Sequence, residues 1–290
     1  MKQFLYLVIV AVGFLSIFLI SGFLGNGYLP SLWVNADTKI VFTKDVPYGS
    51  LPKQKLDLCM PVSLTEKVSG VIIIHGGGGD KSQHTSQCKD LAKNGFVAIA
   101  VNYREDPPPI WKVVMADNRA ALAWLHARPE VDPTRIGAMG GSMGGYVSSL
   151  IGTVEDIDRA QCVNNNYGPT DFTDQSEWND SPLYNDFVER FMGGVTYEQN
   201  PALYRQLSPL THVSKDDAAS WLFTRSTNDH LVPRTQMTKM IAALEKTGIR
   251  TESYEYNGTG GGHANNLPIL AARKLYLKRL DFMTQCLKSL

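Results

Sequence analysis

A serine held among glycines, Gly140-Gly141-Ser142-Met143-Gly144, directly follows an apolar run at residues 136–139. Glycines at 140 and 144 permit a tight strand-to-helix turn, which raises Ser142 at the strand's C-terminal end as a nucleophile. The competing reading is a glycine-rich bend in which Ser142 caps the next helix. A second run, His75-Gly76-Gly77-Gly78-Gly79, follows the β-branched residues 71–74. Acyl transfer builds negative charge on a carbonyl oxygen, and N–H groups aimed at that oxygen lower the barrier. In a serine elbow one donor belongs to the residue after the nucleophile, here Met143, and Gly77 and Gly78 are the candidates for the others. A phosphate cradle is the rival, but Asp80-Lys81-Ser82 misses the spacing of a nucleotide loop, and no dinucleotide fingerprint occurs. His75 sits on the oxyanion side and reads as structural.

A serine hydroxyl needs a base, and the base needs an orienting carboxylate. After Ser142 come His212, His230 and His263. His263 follows the glycine-rich loop 258–262 and precedes the last helical segment, so it is the expected base. His212 falls in an irregular segment, and His230 lies beside the expected acid. That acid is Asp229, a short turn beyond the strand expected at 220–224. Asp171 and Asp174 compete with it, whereas Asp216 and Asp217 lie at the wrong end of the same strand.

These residues need a scaffold, and the chain is long enough to build one: 290 residues, 43% hydrophobic and 19% charged. Twenty-eight basic and 28 acidic residues balance, so no broad field favours nucleic acid. Strands are expected near 39–43, 56–59, 71–74, 97–101, 135–139, 160–163, 220–224 and 251–256. Helices are expected at 83–94, 113–127, from 144 onward, 234–246 and 269–286. Such alternation predicts an α/β fold, a mostly parallel central sheet flanked by helices. Residues 164–215 break the rhythm and read as a lid-like insertion over the sheet edge. Residues 1–36 carry an uncharged stretch at 4–24 and read as a signal peptide or membrane anchor, with the folded domain at 37–290. That places the protein outside the cytoplasm, its N-terminus meeting the export machinery or the membrane. Cys59, Cys88, Cys162 and Cys286 allow three pairings, with one or two bridges expected at most. No cysteine–histidine cluster has metal-site spacing, and no metal or cofactor is expected.

Together the motifs resemble an α/β-hydrolase esterase with a His-Gly-Gly-Gly oxyanion motif, similar to the bacterial carbohydrate-acetyl and feruloyl esterase branch. Lys55-Leu56-Asp57-Leu58, His75–Gly78, Asn102-Tyr103-Arg104, Ala121–Trp124, 132–137, the serine elbow, 167–171, 208–210 and 229–233 carry the likeness. The resemblance implies Ser142 as nucleophile, Asp229 as acid, His263 as base, and Gly77, Gly78 and Met143 as oxyanion donors. It also implies a serine carboxylesterase acting on small-acyl or carbohydrate-linked esters. Alternatives are a lipase-like hydrolase, a serine peptidase or a non-catalytic exported binding protein. Gly79 replaces the family's usual aromatic residue, and Arg225-Ser226 replaces its frequent His-Gly. Gly79, Tyr103, Trp111, Trp178 and Tyr184 are candidates for substrate contact, with Tyr197 a further aromatic. No nucleic-acid partner is expected.

Overall fold

The apolar run at 71–74 ends β3 (Val68–Ile74), a strand buried along almost its whole length. The computed structural model describes residues 38–153, 159–179, 182–258, 262–263 and 267–290, and the targeting segment expected at 1–36 lies outside them. Residues 37–290 form one compact unit. Among the described residues β3 joins β1 (Ile40–Pro47), β2 (Lys55–Pro61), β4 (Val97–Val101), β5 (Val131–Gly141), β6 (Cys162–Asn166), β7 (Ser220–Ser226) and β8 (Arg250–Tyr256) in an eight-stranded sheet. The spatial order is β1-β2-β4-β3-β5-β6-β7-β8. From β4 across to β8 every pairing is parallel. The β1–β2 and β2–β4 pairings are antiparallel. The short turn between β1 and β2 can close a hairpin but cannot hold a crossover. Strands covered on both faces read as unbroken apolar runs, and β4, Val-Ala-Ile-Ala-Val, is buried throughout. The edge strands β1 and β8 instead mix exposed and half-buried residues.

The α/β-hydrolase architecture is completed by α1 (Thr85–Lys93), α2 (Ile110–His126), α3 (Met143–Thr153), α7 (Arg234–Lys246) and α8 (Ile269–Lys288), with α4 (Ser176–Asn179), α5 (Pro182–Met192) and α6 (Pro201–Leu207) in the insertion. Several strands run longer than the sequence reading expects, β5 starting at Val131 rather than 135, and two further boundaries differ. First, β6 runs on through Asn164, Asn165 and Asn166, so the insertion begins after Asn166 rather than at 164. Asparagine disfavours strands because its amide seeks hydrogen bonds elsewhere, but here each amide finds one inside the fold. Asn164 donates to Leu222 O at 3.0 Å, Asn165 donates to Ser149 Oγ at 2.7 Å, and Asn166 accepts from Thr224 Oγ1 at 2.8 Å. Second, α2 starts at Ile110, directly after Pro109, three residues earlier than the apolar spacing suggested.

Helix α3 is buried at every residue. Its hydroxyls return to the helix's own carbonyls, Ser148 to Gly144 at 2.7 Å, Ser149 to Gly145 at 3.0 Å and Thr153 to Ser149 at 3.0 Å, which lets polar side chains sit in the interior. Tyr146 of α3 meets Phe172 and Phe191 of the insertion edge-on, both at 5.3 Å, and Phe187 stacks on Phe191 at 5.5 Å. The insertion therefore has an aromatic core continuous with that of the domain. Among the described residues no helix is long and apolar enough to cross a membrane.

Two close constraints fix the halves of the sheet. A Cβ on Gly144 would lie 2.0 Å from Ile74 O, so α3 rests directly on the end of β3. Disulfides join Cys59 of β2 to Cys88 of α1 and Cys162 of β6 to Cys286 of α8, with sequence separations of 29 and 124. Gly144→Ala should force backbone apart and destabilise by about 3 kcal/mol or more, measurable as a shift in denaturant midpoint. In the chain-entropy model the longer disulfide loop contributes about 4–5 kcal/mol and the shorter about 3–4 kcal/mol. Replacing Cys162 and Cys286 by alanine should therefore lower the unfolding free energy more than replacing Cys59 and Cys88, and equal losses would contradict the loop-length argument.

Candidate active site

Ser142 stands between the end of β5 and the start of α3 with φ at +54°, a left-handed conformation that costs a side-chain-bearing residue free energy. Its backbone is held on both sides. The Ser142 N–H donates to Asn166 O at 2.9 Å, and Ser142 O accepts from Tyr146 N at 3.0 Å as the helix begins. Gly140 has no room for a Cβ, which would lie 2.5 Å from Ile74 O. The side chain is consequently left at the carboxyl edge of the sheet and partly exposed.

His263 and Asp229 meet it there. Ser142 Oγ lies 3.0 Å from His263 Nε2, and His263 Nδ1 lies 2.9 Å from Asp229 Oδ2 and 3.1 Å from Oδ1. The Asp229 side chain is fully buried and that of His263 is 20% exposed, so the carboxylate is shielded while the imidazole reaches the surface. Burial alone would raise the Asp229 pKa. The hydrogen bond and charge of His263, with N–H donors from Val232 and Leu231, outweigh it and hold the carboxyl below its ordinary value. The histidine loop is tied back to the same turn. Gly258 N donates to Ser226 Oγ at 2.9 Å, Asn228 Nδ2 donates to Gly258 O at 2.7 Å, and a Cβ on Gly262 would lie 2.6 Å from Asn228 O. Ser226, where the family often has glycine, is thus one post of that loop. Tyr167, with φ at +45°, meets the His263 ring edge-on at 4.9 Å.

The competing residues are placed elsewhere. Asp171, Asp174 and Glu177 surround Lys239 Nζ of α7 at 3.4, 2.6 and 2.9 Å, fastening the insertion to the domain. His230 is exposed, and His212 Nε2 lies 2.8 Å from Gln206 O.

The glycine loop is built against residues 102–105. His75 is buried, its Nδ1–H directed to Gly76 O at 2.7 Å, and burial lowers its pKa. The Tyr103 ring stacks on it at 4.2 Å and the Tyr103 hydroxyl donates to His75 O at 2.7 Å. At the far end, Asn102 Oδ1 accepts from Lys81 N at 2.7 Å, and Lys81 Nζ lies 2.7 Å from the buried carboxylate of Asp57. Gly79 N donates to Gly76 O at 3.0 Å, closing a turn in which a Gly79 Cβ would lie 2.8 Å from that same oxygen. This accounts for glycine in place of the family's aromatic residue. A Cβ on Gly76 would lie 3.4 Å from Ser142 Cβ, so the loop passes beside the serine.

Three expectations need correction. Gly78 N–H is engaged by the Glu105 carboxylate, at 2.8 Å to Oε2 and 3.0 Å to Oε1, and is not left open as the sequence reading expects. Gly77 N–H has no hydrogen-bond partner among the described residues, and Met143 heads α3, where an N–H has no helical acceptor. Tyr103 is 2% exposed and Tyr184 is 1% exposed, so neither offers a ring face to a ligand. Trp111 is half-buried against the core beside Lys112, and the side chain of Trp178 lies outside the described residues. Glu105, Asn166 and Asn228 escaped the sequence reading because their partners lie far along the chain; the one local hint was the position of Glu105 right after Asn102-Tyr103-Arg104. No group of three or more His, Cys, Asp or Glu is placed to hold a metal among the described residues.

Known proteins share this arrangement of chain. Esterase LipQ of Mycobacterium tuberculosis is 26% identical over 233 residues, 73% of this chain and 55% of that protein. The probable carboxylic ester hydrolase LipM of the same organism is 30% identical over 231 residues, 72% of this chain and 53% of that protein. The chain thus spans little more than half the length of these curated relatives. A truncated carbohydrate esterase from gut microbiota superposes with a TM-score of 0.66 at 22% identity, covering 87% of this chain and 98% of that one, a likeness of fold. The BD-FAE family model matches residues 56–244, from β2 through most of α7, and by that match the chain belongs to the BD-FAE family.

Proposed function

We propose that this chain is a serine carboxylesterase that hydrolyses small-acyl or carbohydrate-linked esters through a covalent acyl-enzyme. The observation that carries the reading is the unbroken line from Ser142 Oγ to His263 Nε2 at 3.0 Å and from His263 Nδ1 to Asp229 Oδ2 at 2.9 Å. In this reading Ser142 attacks the ester carbonyl as His263 takes its proton, and Asp229 keeps the Nδ1–H tautomer and favours the charged imidazole. The oxyanion rests against the N–H groups of Gly77 and Met143. A donor of this kind is worth about 10²–10³ in kcat, which gives the glycine loop a chemical reason to run beside Ser142. His263 then protonates the departing alcohol, and water clears the acyl group by the same route.

Membership of the BD-FAE family and the named activities of LipQ and LipM support ester substrates. The solved relative titled a carbohydrate esterase makes sugar-linked acyl groups the first substrates to try. Two disulfides suit an oxidising compartment, so the reading places the protein outside the cytoplasm, delivered by residues 1–36. Of the aromatic side chains expected to form a sugar platform, Tyr103 and Tyr184 are sealed in the core, and Trp111 and Tyr197 are half-buried candidates for specificity.

Ser142→Ala should lower kcat by about 10⁴-fold or more while leaving the melting temperature within a few degrees, because the hydroxyl stands at an edge and supports no core. An aryl phosphonate should transfer its phosphonyl group to Ser142 with loss of the phenol, adding the phosphonyl mass to the peptide containing Ser142 in the parent enzyme and not in the variant. Labelling elsewhere, or equal turnover by both, would sink the serine-esterase reading. His263→Ala should match the Ser142 loss to within about tenfold, whereas His230→Ala should change kcat/KM by less than about threefold. Across acetylated sugars, feruloyl esters and long-chain acyl esters, the highest kcat/KM is expected on the first two, and a preference for the long chain would favour the lipase-like alternative.

A further inference from the structure

We propose that Glu105 is a positioning residue of the oxyanion loop: by holding Gly78 N–H it turns that group away from the reacting centre and leaves Gly77 N–H as the loop's single donor. The role rests on the ester-hydrolase reading. Gly78 has φ at +71° and open space where a Cβ would be, so backbone conformation rather than crowding requires glycine there. Both Glu105 oxygens accept from its N–H, at 3.0 and 2.8 Å. The backbone that carries this carboxylate is held by its neighbours. Its neighbour Arg104 is locked on the buried Asp117, with Arg104 N at 2.9 Å and Nη2 at 2.6 Å from the carboxylate oxygens. Tyr103 grips His75 O where the loop begins, and Asn102 accepts from Lys81 N where it ends. Asn102 and Tyr103 therefore hold the two ends of the loop, Arg104 anchors the segment on Asp117, and Glu105 holds the loop's middle.

Charge decides what Gly78 can do. An N–H already bonded to a carboxylate cannot also serve a developing oxyanion without bringing two negative charges onto one donor, and like charges so close repel. Gly77 N–H carries no such partner among the described residues, and Met143 N–H heads a helix whose N-terminus favours negative charge. Two donors remain, with an anchored third N–H keeping them in register. A loop displaced by about 1 Å loses about 10²-fold in rate without losing substrate affinity, because the oxyanion exists only beyond the ground state.

The experiment compares the parent with Glu105→Ala and Glu105→Gln on a short-acyl aryl ester, and measures inhibition by a trifluoromethyl ketone, whose adduct with the serine carries a tetrahedral oxyanion. Glu105 is 31% exposed at its side chain, so truncation opens no core cavity. Should the alanine variant prove unfolded, Glu105→Lys removes the acceptor while keeping the stem and takes its place. For Glu105→Ala the expected results are a kcat reduced about 30–100-fold, a KM within about threefold, and a ketone Ki raised by the same factor as kcat falls. Glu105→Gln keeps one acceptor oxygen and should recover to within about fivefold of the parent. Unchanged or raised kcat in Glu105→Ala would mean that Gly78 is released to act as a third donor, and would overturn the proposal. So would a lowered melting temperature with kcat and Ki intact. A parent that neither turns over the ester nor binds the ketone would bring down the ester-hydrolase reading and the clamp with it, whereas an active parent matched by Glu105→Ala defeats the clamp alone.

Discussion

The contact between Gly144 and the carbonyl end of β3 sets the geometry on which the site depends. With a would-be Cβ only 2.0 Å from Ile74 O, the first turn of α3 is pressed against the strand that leads into the glycine loop. The turn that carries Ser142 and the strand end that leads into the glycine loop are therefore set against each other by one backbone-to-backbone approach. Close packing of this kind has few alternative arrangements, which is how a strained residue such as Ser142 is kept at φ +54°. Asn166 adds the lateral restraint by accepting the serine's own N–H.

Polar groups do the remaining alignment, and nearly all of them connect distant parts of the chain. Asp57 of β2 neutralises Lys81 beyond the glycine loop, Asp117 of α2 steadies Arg104, and Gln236 of α7 accepts from the backbone of Thr170 and Asp171. Breaking one partner of a buried ion pair leaves the other charged and unsolvated, so each such pair enforces one arrangement strongly even where its net stabilisation is modest. The site is thus framed by side chains whose energetic weight lies in excluding other conformations.

Much of this was legible in the sequence, for a physical reason. Elbow glycines, the His-Gly-Gly-Gly run and the buried strands are local signals, each stating a backbone conformation within a few residues. The order serine, aspartate, histidine along the chain then picked out Asp229 and His263 before their side chains were seen to meet. What escaped were features whose cause lies across the sheet. The asparagines of β6 looked like loop because their hydrogen-bond partners sit on β7 and α3. Gly78 N–H looked open because its partner, Glu105, is 27 residues away. Cysteine spacing permitted three pairings, and only strand order brought Cys162 beside the last helix.

Tyr146 lies four residues beyond Ser142, and its ring is one wall of the aromatic cluster formed by Phe172 and Phe191. The insertion is consequently not a detachable accessory. Exchanging it for the corresponding stretch of a relative would remove the rings packed against the helix that follows Ser142, so a transplanted segment would have to bring a matching set or lose that support. Sequence change is then easier at the tips of this segment than at its base, where the same rings pack both the insertion and the helix that follows Ser142.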